Sequence, residues 1–194
     1  KFYGDHVCQM FKDDSKQPGE YKHRRTLKEY YELVRRVALG LVAEGAESFA
    51  HISILSENRP EWNLVDHSIL MARCTTVGIY TNDSVDIIQY KLEDTQSWAI
   101  FVEDKKQLDK ILPIPKSEIA FLKKIYVFDT EGIDMSSDER LEKYETLLEK
   151  GASAGADVQN ELDERIATIR ARTGDELPDD AGGTQQPRRP GGHA

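Results

Sequence analysis

Four places in the chain hold residue types that could do chemistry. Asp5, His6 and Cys8 lie close together and offer a carboxylate, an imidazole and a thiol, the donor types of a transition-metal site. Two or three donors on an end segment expected to fray do not close a coordination sphere, so no metal ligand is assigned. The polar run Ser56, Glu57, Asn58 and Arg59 in "SENRPEW" directly follows an apolar stretch, the position at which open α/β sheets bind ligands. The same run also reads as a helix start, with Asn58 as cap, Pro60 in the first turn and Trp62, Val65 and Ile69 packing the helix down. His51 alternates with apolar neighbours and is read as a sheet-face or loop-edge residue. His67, inside a helical pattern, is read as a surface or satisfied core residue.

Self-sufficient catalytic signatures are missing from the sequence: there is no paired Cys/His cluster, GxSxG elbow, HExxH helix or GxxxxGK[ST] loop. No catalytic residue is therefore assigned. Whatever chemistry the chain serves must be assembled from loops positioned by a larger frame.

That frame is legible as alternation. "RTLKEYYELVRRVALGLVAEG" spaces Leu27, Tyr30, Tyr31, Val34, Ala38, Leu41 and Val42 along one helical face, with a Thr26/Glu29 capping box and Gly45 as a left-handed stop. "FAHISIL" is short, apolar and β-branched, a buried strand, and a second helix begins at Pro60. The pattern repeats through "TTVGIY", a helix capped by Ser84, "WAIFVE", "DKKQLDKIL" and "KIYVFD". Short apolar strands alternating with amphipathic helices predict an α/β fold with a largely parallel sheet flanked by helices. Two more helices, "SDERLEKYETLLEKG" and "DVQNELDERIATIR", are charged enough to read as solvent-facing covers. From Ala171 onward Gly and Pro fill 8 of 24 positions and Leu177 is the only large aliphatic residue, so disorder is expected from about Arg172.

Composition narrows the function. A net charge of −9, from 26 basic and 35 acidic residues, lacks the basic footprint of a nucleic-acid partner. No apolar run reaches the roughly 20 residues of a membrane span. The distant Cys8 and Cys74 read as free thiols of a reducing, cytoplasmic compartment. The chain opens on Lys1 rather than Met and ends in a stretch that caps nothing, so it is expected to be a fragment of 194 residues.

Taken together, "LKEYYELVRRVALGL", "ISILSENRPEWNLVDHSIL", "TVGIYTNDSVDIIQYKLEDT" and "WAIFVEDKKQLDKIL" resemble the N-terminal part of AMP-forming acyl-CoA synthetases, with the tyrosine-rich helix and "SENRPEW" closest to the long-chain fatty acid–CoA ligase branch. The resemblance covers about residues 20–170. It implies a partial AMP-binding (adenylation) domain over 1–170, the incomplete N-terminal domain of an adenylate-forming enzyme, followed by a tail at 171–194. It also implies a parent that uses ATP, Mg²⁺ and coenzyme A with a fatty acid. Such enzymes form an acyl-adenylate and pass the acyl group to the coenzyme A thiol. The family grips the ATP phosphates with a YTSGTTGxPKG loop, whose small residues let backbone N–H groups close on oxygen. That loop should fall where "GGTQQPRRPGG" stands, and only Gly183 and Thr184 match it, loosely. A one-base reading-frame slip would turn Thr-Thr codons into Gln185–Gln186 and Pro-Lys codons into Arg188–Arg189, although the spacing is one residue short of the motif. A natural low-complexity tail is the alternative. The fragment alone is expected to be inactive, to self-associate through uncovered apolar surface, and to derive from a cytoplasmic enzyme with peripheral membrane contact. A non-catalytic α/β binding or interaction module derived from such a ligase is the competing expectation.

Overall fold

The computed structural model describes residues 4–11 and 23–173. Gly183 and Thr184, and with them the whole "GGTQQPRRPGG" stretch, lie outside these residues. A five-stranded, all-parallel sheet runs in the order β4-β3-β5-β6-β7. Its strands are β3 (His51–Leu55), β4 (Thr75–Ile79), β5 (Ala99–Val102), β6 (Lys124–Val127) and β7 (Leu141–Lys143). The helices α1 (Leu27–Ala43), α2 (Pro60–Met71), α5 (Tyr144–Ala152) and α6 (Ala156–Thr173) contribute to one core cluster; α3 (Val85–Thr95) and α4 (Lys105–Ile111) contribute to a second.

Strand alternation sorts the side chains between these two cores. Ala99 and Phe101 face one, Ile100 and Val102 the other, and all four are fully buried. Central strands covered on both faces must be apolar at every position, and this is why they appear in sequence as unbroken runs. Ser53, the polar exception on β3, is satisfied at 2.7 Å by Ser97, itself 2.7 Å from Thr95.

Helix ends follow the local chemistry. Thr26 and Glu29 form the reciprocal capping box, and Gly45 (φ 89°) takes the left-handed position beyond Glu44 while the Ala46 N–H returns to the Leu41 carbonyl. Ser84 caps α3 through the Ile87 N–H.

Three readings need correction. Asp5, His6 and Cys8 do not lie on a frayed end: β1 (Val7–Phe11) pairs antiparallel with β2 (His23–Thr26), and Gln9 donates to the Pro60 carbonyl at 3.0 Å. "SDERLEKYETLLEKG" is not one helix, because Leu141–Lys143 pairs with β6 and the helix begins at Tyr144. The last two helices are not merely solvent-facing covers. Leu147 and Leu162 are fully buried, and the Arg165 guanidinium donates to the carbonyls of Ala46 and Ala72, each at 2.9 Å. The last described helix, α6, continues to Thr173.

The closest approach in the fold joins α1 to α5. A Cβ on Gly40 would sit 2.5 Å from the Leu147 carbonyl oxygen, and one on Gly151 would overlap the Arg36 carbonyl. Beside this contact, Glu44 and Glu142 share Lys124 and Lys150, with Lys150 at 2.5 Å from Glu44 and 2.6 Å from Glu142. Burial alone would raise the Glu44 pKa, but hydrogen bonds from the two lysines outweigh it and hold the carboxyl below its ordinary value. At the start of β7, Asp138 accepts the Arg140 guanidinium in bidentate fashion at 3.0 and 2.8 Å, both side chains being buried.

Two predictions follow from this packing. Gly151→Ala has no flexible atom to displace, only backbone, and should lower stability by about 3 kcal/mol, read as a fall in urea midpoint. The Arg140 hydrogen bonds hold the Asp138 carboxyl far below its ordinary value of 3.8, so its contribution is present above that pH and lost as pH falls. Asp138→Asn should therefore cost about 3 kcal/mol at neutral pH and flatten the acid limb of the stability profile, measured by urea titration across pH.

Candidate functional site

At the carboxyl ends of β3 and β4 the chain leaves the sheet through two polar loops, and between them lies a cleft of about 410 Å³. Ser56, Glu57 and Asn58 line one side, Tyr80 and Thr81 the other, with Trp62 beside them and Gly78 in the wall. A Cβ on Gly78 would meet nothing, so the cleft is open there.

Each loop is braced. The Glu57 N–H donates to the Glu103 carboxylate at 2.9 Å, which ties the first loop to the end of β5. The Thr81 hydroxyl donates to the Glu57 carboxylate across the cleft. Lys110 on α4 donates to the Thr81 and Asp83 carbonyls at 2.5 and 3.2 Å, and Lys91 pairs with Asp83 at 2.6 Å. Arg59 leaves the cleft altogether: it bonds Glu61 at 2.8 Å and lies over the Phe128 ring, 4.8 Å from its centroid. Phe128 in turn packs on Phe101 and Tyr144, so the loop is anchored to the aromatic core.

The expected cap is displaced by one residue. Proline forces its predecessor into extended backbone, so Arg59 (φ −141°, ψ 161°) becomes the N-cap of α2, without a side-chain bond, and Asn58 is left outside the helix. Its amide is exposed and makes no hydrogen bond among the described residues. Trp62, Val65 and Ile69 do pack α2 onto the core as expected.

What remains free in the cleft is the Asn58 amide and the surfaces of Trp62 and Tyr80, Tyr80 being 74% exposed with the Lys91 ammonium 5.3 Å from its ring centroid. These suit stacking and edge recognition of a planar group. The nearest cations, Lys91 and Lys110, are committed to the loop, so the cleft does not neutralise phosphate charge. Tyr80, Thr81 and Glu103 were not singled out from sequence. Their signal was available in "GIYTND", a polar turn directly after a strand, the same pattern as "SENRPEW".

The histidines stand apart from this cleft. His51 opens β3 at the opposite end of the sheet, half-buried. His67, exposed on α2, holds the Tyr30 hydroxyl at 2.7 Å through Nδ1. Burial foremost, aided by the nearby Cys8 and Asp66, pushes the Tyr30 phenol up to about 12. Cys8 is exposed and Cys74 buried, both as free thiols, and burial pushes the Cys74 thiol up to about 11. No three His, Cys, Asp or Glu side chains converge as a metal-holding group among the described residues. Nor is any helix among them long and apolar enough to cross a membrane.

The chain as a whole is similar to known proteins. Long-chain-fatty-acid--CoA ligase ACSBG2 of Xenopus laevis is 35% identical over 129 residues, 66% of this chain and 17% of the relative. The Homo sapiens ACSBG2 ligase is 32% identical over 125 residues, 64% of this chain and 18% of the relative. The chain thus spans less than a fifth of the length of these relatives. Among solved structures, coronafacic acid ligase from Pectobacterium brasiliense superposes with a TM-score of 0.57 at 18% identity, over 66% of this chain and 25% of that one. The anthranilate CoA ligase AuaEII, in complex with anthranoyl-AMP, gives 0.58 at 20% identity, over 66% and 23%. These two likenesses establish the fold. The family model described as AMP-binding enzyme matches residues 3–170, and the chain belongs to that family.

Proposed function

We propose that the chain supplies part of the adenylation domain of a long-chain fatty acid–CoA ligase. In that reaction a fatty acid carboxylate oxygen attacks the α-phosphorus of ATP, delivered as its Mg²⁺ complex, and pyrophosphate leaves. The coenzyme A thiol then attacks the acyl carbon of the adenylate, and AMP leaves. The observation that carries the reading is the braced cleft at the strand carboxyl ends, built from "SENRPEW" and "GIYTND" within a chain of this family.

The cleft's own part is recognition. Asn58 offers both donor and acceptor to the edge of a planar ring, while Trp62 and Tyr80 offer faces for it, which fits the base of one of the nucleotide substrates. Its surviving acid, Glu57, is unsuited to phosphate. The phosphate grip is assigned instead to the segment around Gly183 and Thr184, which lies outside the described residues. The exposed Tyr80, Val85, Ile87 and Tyr90 support the expectation that the isolated chain self-associates. Its free thiols support a cytoplasmic setting.

The test is a chimera in which residues 23–170 replace the matching segment of the Xenopus laevis ligase. A folded chimera should retain fatty acid-dependent ATP–pyrophosphate exchange, whereas the isolated chain should show none. Within the chimera, Asn58→Ala with Tyr80→Ala should raise the KM for ATP or coenzyme A about tenfold, with a smaller change in kcat. A folded chimera unable to form acyl-adenylate would overturn the reading.

A further inference from the structure

A second cluster sits at the N-terminal end of α1, joined to the start of α2 by Gln9, which accepts from Arg25 and donates to the Pro60 carbonyl. Arg24 and Arg25 on β2 and Arg36 on α1 line a cavity of about 320 Å³, floored by Leu33 and edged by Glu29 and Glu32. In a chain of net charge −9, three guanidinium groups around one cavity are a local reversal of sign. Arg25 is pre-organised: it donates to the Gln9 side chain at 2.7 Å and lies 4.6 Å from the Phe11 centroid, so its orientation is set before any ligand arrives. The guanidinium groups of Arg24 and Arg36 make no hydrogen bond or ion pair among the described residues. Glu29, whose carboxylate accepts the Thr26 N–H at 2.8 Å and hydroxyl at 2.9 Å, keeps its charge and acts on Arg25, so the lining sets three cations against two acids. Glu32 is the lining acid that the capping box does not hold.

We infer that this cavity between β2 and α1 binds a phosphate group, with Arg25 as the fixed donor and Arg24 and Arg36 closing on the anion. Arginine forks match phosphate oxygens in pairs, and three of them around one hollow can hold a phosphate group from several sides. A soluble polyphosphate and a phospholipid headgroup share this chemistry. The inference does not rest on the ligase reading.

The 194-residue chain is titrated calorimetrically with tripolyphosphate and co-sedimented with phosphatidylcholine vesicles with and without phosphatidic acid. Binding should weaken with added KCl. Arg24→Ala combined with Arg36→Ala should weaken it about tenfold, and Glu32→Gln should tighten it about threefold. Arg73→Ala, which removes a guanidinium stacked on Phe49 elsewhere, should change nothing. Binding of tripolyphosphate identifies a soluble phosphate ligand, and binding of phosphatidic acid vesicles alone identifies a headgroup; either supports the site. Absence of binding to both probes, or the same affinity in the double variant and in Glu32→Gln with unchanged thermal melts, overturns it.

Discussion

The fold depends on one backbone contact, the approach of α1 to α5 at Gly40 and Gly151. Helices normally stand about 8–10 Å apart because side chains keep them there. Removing two side chains lets these backbones meet, and the consequences spread outward. The C-terminus of α1 is brought within reach of β6, β7 and α5, so that Glu44 can share Lys124 and Lys150 with Glu142. Four charges from four elements then close over the core, where the Tyr126 hydroxyl lies buried without a hydrogen-bond partner among the described residues. The short strand β7 gains its place from this arrangement as much as from its three paired residues.

The cleft inherits rigidity from the same core. Arg59 reaches from the loop after β3 to the aromatic stack of Phe128, Phe101 and Tyr144, and Tyr144 opens α5. A loop carried by a parallel sheet is thereby fixed at both ends, by Glu103 on one side and the aromatic stack on the other. Its recognition groups, Asn58 and Tyr80, are free because neighbouring residues satisfy the loop's structural needs. Charge is distributed accordingly: near the cleft Lys110 is spent on loop carbonyls and Lys91 on the Asp83 carboxylate, whereas Arg24 on the hairpin and Arg36 on the first helix are not so committed.

Periodicity alone made the elements from α1 to β6 legible, since each buries one apolar stripe or a whole apolar run. Where tertiary pairing overrode local preference, the reading failed. Leu141, Tyr144, Leu147 and Leu148 fit one helical face, yet the free edge of β6 draws Leu141–Lys143 into the sheet. The hairpin of β1 and β2 pairs residues separated by an intervening stretch, and neither strand has enough alternation to announce itself. Asn58 missed the cap because the stereochemistry of Pro60 acts on the residue before it, an effect that cap preference does not include. Of the cleft, the "SENRPEW" side was visible as polarity after a strand. The bracing by Glu103, Lys91 and Lys110 was not, because it joins separate crossovers.

An all-parallel sheet also dictates an order of events during synthesis. No strand of this sheet can zip onto its neighbour as a hairpin; each pairing must wait for a complete crossover. The first helix waits longest, because its glycine partner lies near the end of the fold. While the polypeptide emerges from the ribosome, α1 can pack on α2 and the first strands, but the side of it that meets α5 stays uncovered until α5 has been made, a window in which a chaperone would be a natural companion.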